Sequence, residues 1–399
     1  MEQDRLLTPA FIAVFAANLI NGLSFFLFVH LPGFLSDLGA SETQIGFLFS
    51  VSAIAAVAIR PWLGEAIDER GRRPVIVVAG LLNIVAVLLY LTVTSLGPWL
   101  YVVRIIHGIA IGATFTVLIT IGADVIPESR RTEGLALFGV SGLLPIALGG
   151  LLGDFILNLG DFEALFLTSA VLAVVAYVLA LSLGESANNV GDGERARFID
   201  AIRQPSLLPL WWIAGVFSLV LTGYFTFMRT FVDTTGIGSV GLFFAFYAGT
   251  AIVVRVLFAK LPARIGEKRV LLPALGALVV GFVVLARASS SIDVALAGVL
   301  SGIGHGYAFP ILFAFTVTRT PEAVRGSSLA FFTALFDIGV LFGGPILGAI
   351  IEGAGYPAMF LSAGALLAVA TIIYYMWDRR WDVPSAPTEP DPVRPAAST

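Results

Sequence analysis

What most constrains this chain is a succession of long apolar runs. Twelve of them divide the sequence: 10–35, 43–63, 75–95, 99–125, 133–158, 163–184, 207–232, 239–260, 270–289, 293–318, 326–351 and 356–377. Each is near the ~20 residues that a membrane-spanning helix needs. Lipid offers no partner for a backbone N–H or C=O, so such runs must be helical. Only 13% of the 399 residues are charged, against about 25% in soluble domains. The expectation is an all-α integral membrane protein of twelve transmembrane helices. The first run is too long for a cleavable signal peptide, and Met1–Arg5 lacks the basic region of one, so it reads as the first span.

The segments between runs organise the chain. Residues 1–184 hold six spans and 207–377 hold six more, predicting two six-helix bundles. Residues 185–206 read as a cytoplasmic linker, with Asn188, Asn189, Gly191 and Gly193 ahead of an amphipathic stretch from Glu194 to Arg203. Residues 378–399, rich in proline, serine and acid, read as a disordered cytoplasmic tail. Of the 23 basic residues, 20 fall on alternate loops of one side. Arg229 and Arg287 fall on the other side, and Arg104 lies within the fourth run. By the positive-inside rule both termini are cytoplasmic. A multi-pass protein of the cell membrane is expected, and a monomer.

One charged stretch between the second and third runs occurs twice. Arg60 to Pro74 reads as a short, glycine-punctuated turn, and Arg255 to Val270 repeats it 195 positions on. Arg60 pairs with Arg255, Gly71 with Gly266 and Arg73 with Lys268, while Asp68 has become Ala263. Farther along the offset is 194: Gly108 and Gly112 meet Gly302 and Gly306, and Arg131 meets Arg325. The two halves are therefore copies of one unit.

Gly64, Asp68, Gly71, Arg72 and Arg73 resemble the loop signature of the major facilitator superfamily. A parallel repeat of six helices is also that superfamily's architecture. The phrase Leu38-Gly39-Ala40-Ser41 with Gln44-Ile45-Gly46 is similar to its bacterial drug:proton exporters. The resemblance covers nearly the whole chain. It implies the major facilitator fold, a central cavity and alternating access. It also implies a gate: the loop with Arg60 and Asp68 should meet the start of the eleventh helix at Arg325 when the cytoplasmic side closes.

Glycines four apart should let helices approach closely: Gly108 and Gly112, Gly302 and Gly306, and Gly149 and Gly153 on a face matching that of Gly344 and Gly348. The run Gly142 to Gly150, with Pro145, loosely resembles an antiporter signature, and a proline kink accounts for it equally. Ionisable groups within lipid are costly and mark function by default. Arg104 and His107 match the family's arginine motif in the fourth helix, although Arg104 is shallow enough to reach outward to the interface. His305 and Asp337 fall near the bilayer midplane. Asp337 is expected to carry the transported proton, tuned by His305 or Arg104. Asp124, Asp154 and His30 are expected near the interfaces. Asn18 and Asn21 share a helix face and either join helices or meet substrate. They are expected on the cavity wall, opposite Tyr224, Tyr307 and Phe336.

The chain has no cysteine, which excludes disulfides and thiolate metal sites. Its net charge of −4 carries no nucleic-acid signal. No phosphate-binding loop, metal-ligand cluster or nucleophile elbow is present, so neither an enzyme nor a cofactor or metal is expected. The reading is a secondary transporter driven by the proton gradient, exporting small lipophilic organic molecules. The alternative is an uptake symporter or facilitator for a sugar, organic anion or other nutrient. A receptor on a transporter scaffold is a third class, which the lack of a sizeable soluble domain disfavours.

Overall fold

A computed structural model describes residues 6–183, 203–321 and 324–379. The expected linker helix and most of the expected tail lie outside these residues, as do the surroundings of Gly64 and the side chain of Asp68. Among the described residues, eleven helices are long and apolar enough to cross a membrane. The first half contributes α1 (Pro9–Asp37), α2 (Glu42–Arg70), α3 (Arg72–Leu89), α4 (Pro98–Asp124), α5 (Arg131–Leu159) and α6 (Phe162–Leu181). The second contributes α7 (Leu208–Thr235), α8 (Val240–Leu257), α9 (Glu267–Ala286) and α10 (Ser291–Arg319), then one 54-residue helix, Arg325–Asp378. At 1.5 Å per residue that last helix would be about 80 Å long, far more than the ~30 Å a bilayer core requires. It breaks at Gly355 (φ 81°, ψ 172°), where a side chain would be strained, with Pro357 starting the next turn. The break yields α11 (325–354) and α12 (356–378), and thus twelve crossings.

Local signals set the ends. Ser41 and Gln44 form a reciprocal capping box at the start of α2, and Ser290 and Asp293 form another at α10. Asp161 and Ser239 cap α6 and α8.

The expected turn from Arg60 to Pro74 needs correction. The α2 helix runs unbroken through Arg70, and Gly71 alone (φ 83°, ψ 171°) makes the corner. Where the apolar run stops, the helix leaves lipid, but nothing there stops it hydrogen-bonding; the left-handed glycine does. Gly266 (φ 101°) makes the equivalent corner in the second half.

Glycine contacts follow the repeat. A Cβ on Gly108 would fall 2.2 Å from the Ser52 carbonyl oxygen, and one on Gly302 would fall 2.3 Å from that of Tyr247, 195 residues after Ser52. Thus α4 lies on α2 as α10 lies on α8. The matching of Gly149 and Gly153 with Gly344 and Gly348 is corrected. Gly149 and Gly153 press on Phe26 and His30 of α1, inside the first half. Gly344 and Gly348 press on Gly46 and Glu42 of α2, across the halves. The register mate of Gly344 is Gly150, which meets Gly241 of α8. A one-residue shift turns a helix face by about 100°, so it exchanges one neighbour for another.

Candidate functional site

A cavity of about 460 Å³ lies between the halves. Phe25, Phe26, Phe28 and Phe49 line it from the first half, and Phe225, Phe309 and Phe336 from the second. Its ionisable lining residues are Arg104, His107, His305 and Asp337. All four were singled out in the sequence, and the fold brings them to one space.

Arg104 sits on α4 and is 4% exposed. It does not reach outward. Its Nε donates to the Leu48 carbonyl (3.0 Å), its Nη1 donates to Tyr90 Oη (3.1 Å), and its guanidinium lies 4.6 Å from the centre of the Phe49 ring. Tyr90 Oη lies 3.0 Å from His107 Nδ1. The hydroxyl accepts from Arg104, which leaves its proton free to go to Nδ1; in that tautomer the His107 proton sits on Nε2. In the second half His305 Nδ1 pairs with Tyr247 Oη, and its ring stands edge-on to Phe217.

Asp337 has a different partner from either expected one. Arg60 Nη2 of α2 lies 2.5 Å from its Oδ2, across the two halves. Arg60 Nη1 is buried with no hydrogen-bond partner among the described residues. Neither His305 nor Arg104 bonds to Asp337. Arg60 therefore stands on α2 beside the cavity-lining Asp337 of α11, rather than in a loop.

Several other placements are corrected. Asn18 is buried inside the first bundle, donating from Nδ2 to Ser141 Oγ at 2.8 Å. Asn21 lines a small separate void with Asn83 and Thr114. Tyr224 is fully buried in the second bundle, where it accepts from Ser301 Oγ (3.0 Å) and stacks on Phe282. Tyr307 is not on the cavity wall, whereas Phe336 is. Arg72 bonds Asp124 at 2.9 Å, so Asp124 is not simply solvated. Arg73 is exposed, and Arg325 is half-buried at the start of α11.

A set of contacts not anticipated from sequence closes the arginine-poor face. Tyr356 Oη donates to Glu42 Oε1 (2.5 Å) and Thr230 Oγ1 to Glu42 Oε2 (3.1 Å). The Thr43 amide donates to Glu352 (2.8 Å). The Gly241 amide donates to Asp154 (2.6 Å), and buried His30 bridges the Gly150 carbonyl (3.1 Å) and Arg229 Nη1 (3.3 Å). His30 and Asp154 are thus seam residues, not interfacial ones. A signal was present: Glu42, Glu352 and Asp154 are acids at the ends of apolar runs. No spacing rule pairs groups so far apart in the chain.

Comparison with known proteins agrees with this geometry. The sequence pattern of the Major Facilitator Superfamily matches residues 10–293 and 237–398. The staphylopine export protein of Staphylococcus aureus is 25% identical over 376 residues, covering 91% of this chain and 92% of that protein. The structure is similar to a mutant of the nucleoside transporter NupG, with TM-score 0.80 and 14% identity over 92% of this chain and 99% of that one. It is also similar to a D-xylose-proton symporter, with TM-score 0.74 and 15% identity over 92% and 97%. With its doubled six-helix plan, its glycine-set seams and a family match along nearly all its length, the chain belongs to the Major Facilitator Superfamily.

Proposed function

We propose that this secondary transporter exports small lipophilic organic molecules in exchange for protons. The observation that carries the reading is the cavity: its phenylalanines come from both halves, and one acid on its wall, Asp337, is ion-paired across them to Arg60. Desolvated aromatic walls suit apolar solutes. An acid between two moving bodies is suited to coupling. Protonating Asp337 removes the attraction to Arg60 and loosens the α2–α11 seam, and losing the proton restores it. The likeness to an exporter along nearly the whole chain favours export, since the nucleoside and xylose transporters share the fold alone.

The basic loops set the orientation. With them in the cytoplasm, both termini are cytoplasmic, the seal at Glu42 and Tyr356 faces outward and the cavity faces inward. The chain works as a monomer in the cell membrane, needing a proton gradient and no other cofactor. The test is counterflow in proteoliposomes with a panel of lipophilic substrates, with and without a pH gradient. Accumulation should follow the gradient, and Asp337→Asn should retain exchange while losing accumulation. Gradient-driven accumulation at full rate by that variant would remove Asp337 from the mechanism.

A further inference from the structure

Arg104 is a buried cation with no counter-charge among the described residues. Its partners are a carbonyl, a phenol and an aromatic ring, and no carboxylate pairs with it. The one acid on the cavity wall, Asp337, is already engaged by Arg60. Nη2 of Arg104 makes no hydrogen bond with any described residue, although Arg104 is 4% exposed and lines the cavity. A desolvated charge without an opposite partner is unfavourable, and a guanidinium is shaped to take a carboxylate on two nitrogens.

A second unused donor lies beside it. His107 follows Arg104 by three residues on α4, so both share a face. Its Nδ1 is engaged with Tyr90, which leaves Nε2 without a hydrogen-bond partner among the described residues, on a residue that also lines the cavity. Phe28 packs 4.4 Å from the His107 ring, centre to centre, placing apolar surface against the same donors.

We propose that the cavity takes lipophilic organic anions, with a carboxylate held by Arg104 Nη2 and His107 Nε2–H and the apolar body among the phenylalanines. This rests on the proposed function and narrows its substrate class. A cation finds no free acid on this wall, and a neutral solute leaves Arg104 uncompensated. In this account Tyr90 is a positioning residue: it fixes the His107 tautomer and holds the guanidinium toward the cavity.

The test is equilibrium binding to the purified full chain in detergent, at neutral pH and without a gradient. The probes are 2-naphthoate, 2-naphthamide and 2-naphthylmethylammonium, which share a ring system and differ in charge. Naphthoate should bind at least about tenfold tighter than the other two. Arg104→Gln should bring naphthoate down to the affinity of the amide and leave the amide unchanged, with Arg104→Lys between. If Arg104→Gln does not fold, the wild-type preference and its reduction in His107→Phe decide. Equal binding of naphthoate and naphthamide, or an unchanged preference in the folded variants, overturns the proposal. Preference for the ammonium overturns it while leaving lipophilic export in place. Binding of none of the probes overturns both. Carboxylate preference in a protein that shows no gradient-driven transport upholds the anion site and sinks proton coupling.

Discussion

The two seams that join the halves are built from one repeat and differ in charge. On one, Gly46 of α2 meets Gly344 of α11; on the other, their register mates Gly241 of α8 and Gly150 of α5 meet. Both allow backbones to touch, as small residues do in membrane helices. Only on the first does Arg60 of α2 face Asp337 of α11 on the cavity side, with Glu42 of α2 meeting Tyr356 at the start of α12 at the rim. On the other seam Arg255 stands where Arg60 does, but Leu143 takes the place of Asp337 and Ile237 that of Glu42. There Arg255 Nε donates to the Gly306 carbonyl at 3.2 Å, within its own half. Duplication therefore supplied the scaffold twice, but an arginine–aspartate pair across the halves stands on one seam, while on the other Asp154 meets the Gly241 amide. Under the proposed function, the pair on the first, charged seam is what the transported proton changes.

Four experiments press on that difference, from the largest expected effect downward. Making the charged seam resemble its mate should abolish coupling. Asp337→Leu alone strands Arg60 and should cost about 1–3 kcal/mol of stability, less than a fully buried pair because both side chains are partly exposed. Adding Arg60→Leu should recover the stability but not gradient-driven transport. Thermal unfolding and proteoliposome flux would separate the two, and full transport by the double variant would show that the asymmetry is incidental.

Next are the glycines. A Cβ on Gly46 would fall 2.1 Å from the Gly344 carbonyl oxygen, whereas one on Gly150 would meet its nearest atom at 3.2 Å. Gly46→Ala should force the charged seam apart and shift the population of this closed-rim state roughly tenfold or more; Gly150→Ala should shift it little. Spin labels on cysteines placed at Ser36 and Ala354 would report it, the parent chain having no cysteine. Equal distance distributions in the two variants would mean that the seams respond alike.

A smaller effect is expected at the rim. Tyr356→Phe removes one hydrogen bond to the Glu42 carboxylate. A partly exposed bond of this kind is worth about 1 kcal/mol, or roughly fivefold in the closed-to-open ratio. The same label pair should broaden toward longer distances; an unaltered distribution would leave Tyr356 without a part in the seal.

The smallest effect should be symmetric. Gly112 and Gly306 each leave 3.1 Å to the first neighbour of an added Cβ, inside their own halves. Gly112→Ala and Gly306→Ala should each cost no more than about 1 kcal/mol, and equally. Unequal melting temperatures would show that the halves differ in packing as well as in charge.

Much of this was legible in the sequence because it is local. A hydrophobic stretch of a given length must be a helix in lipid, a serine or aspartate before it caps it, and a glycine after it turns the chain. Helix number, order and the internal repeat follow from such signals. Arg104, His107, His305 and Asp337 were legible for a related reason: polar groups are costly inside an apolar run, so each declares itself. Their grouping on one cavity was legible only through the resemblance to a family. The fate of the amides was not. Asn18 and Asn21 share a face by spacing, yet that face turns toward α5 and the interior of the first bundle.

What the sequence alone determined is therefore the set of rods, their order and the doubled plan, together with the few polar groups worth following. The tertiary structure alone decided which groups meet: Asp337 with Arg60 rather than His305, Tyr356 with Glu42, and Gly344 with Gly46 rather than with a neighbour in its own half. The physical reason is rotation. The rise and pitch of a helix follow from its backbone, but its rotation about its own axis is set by close packing against other helices. A single residue of register, about 100°, moves a side chain from the cavity wall to a sealed interface.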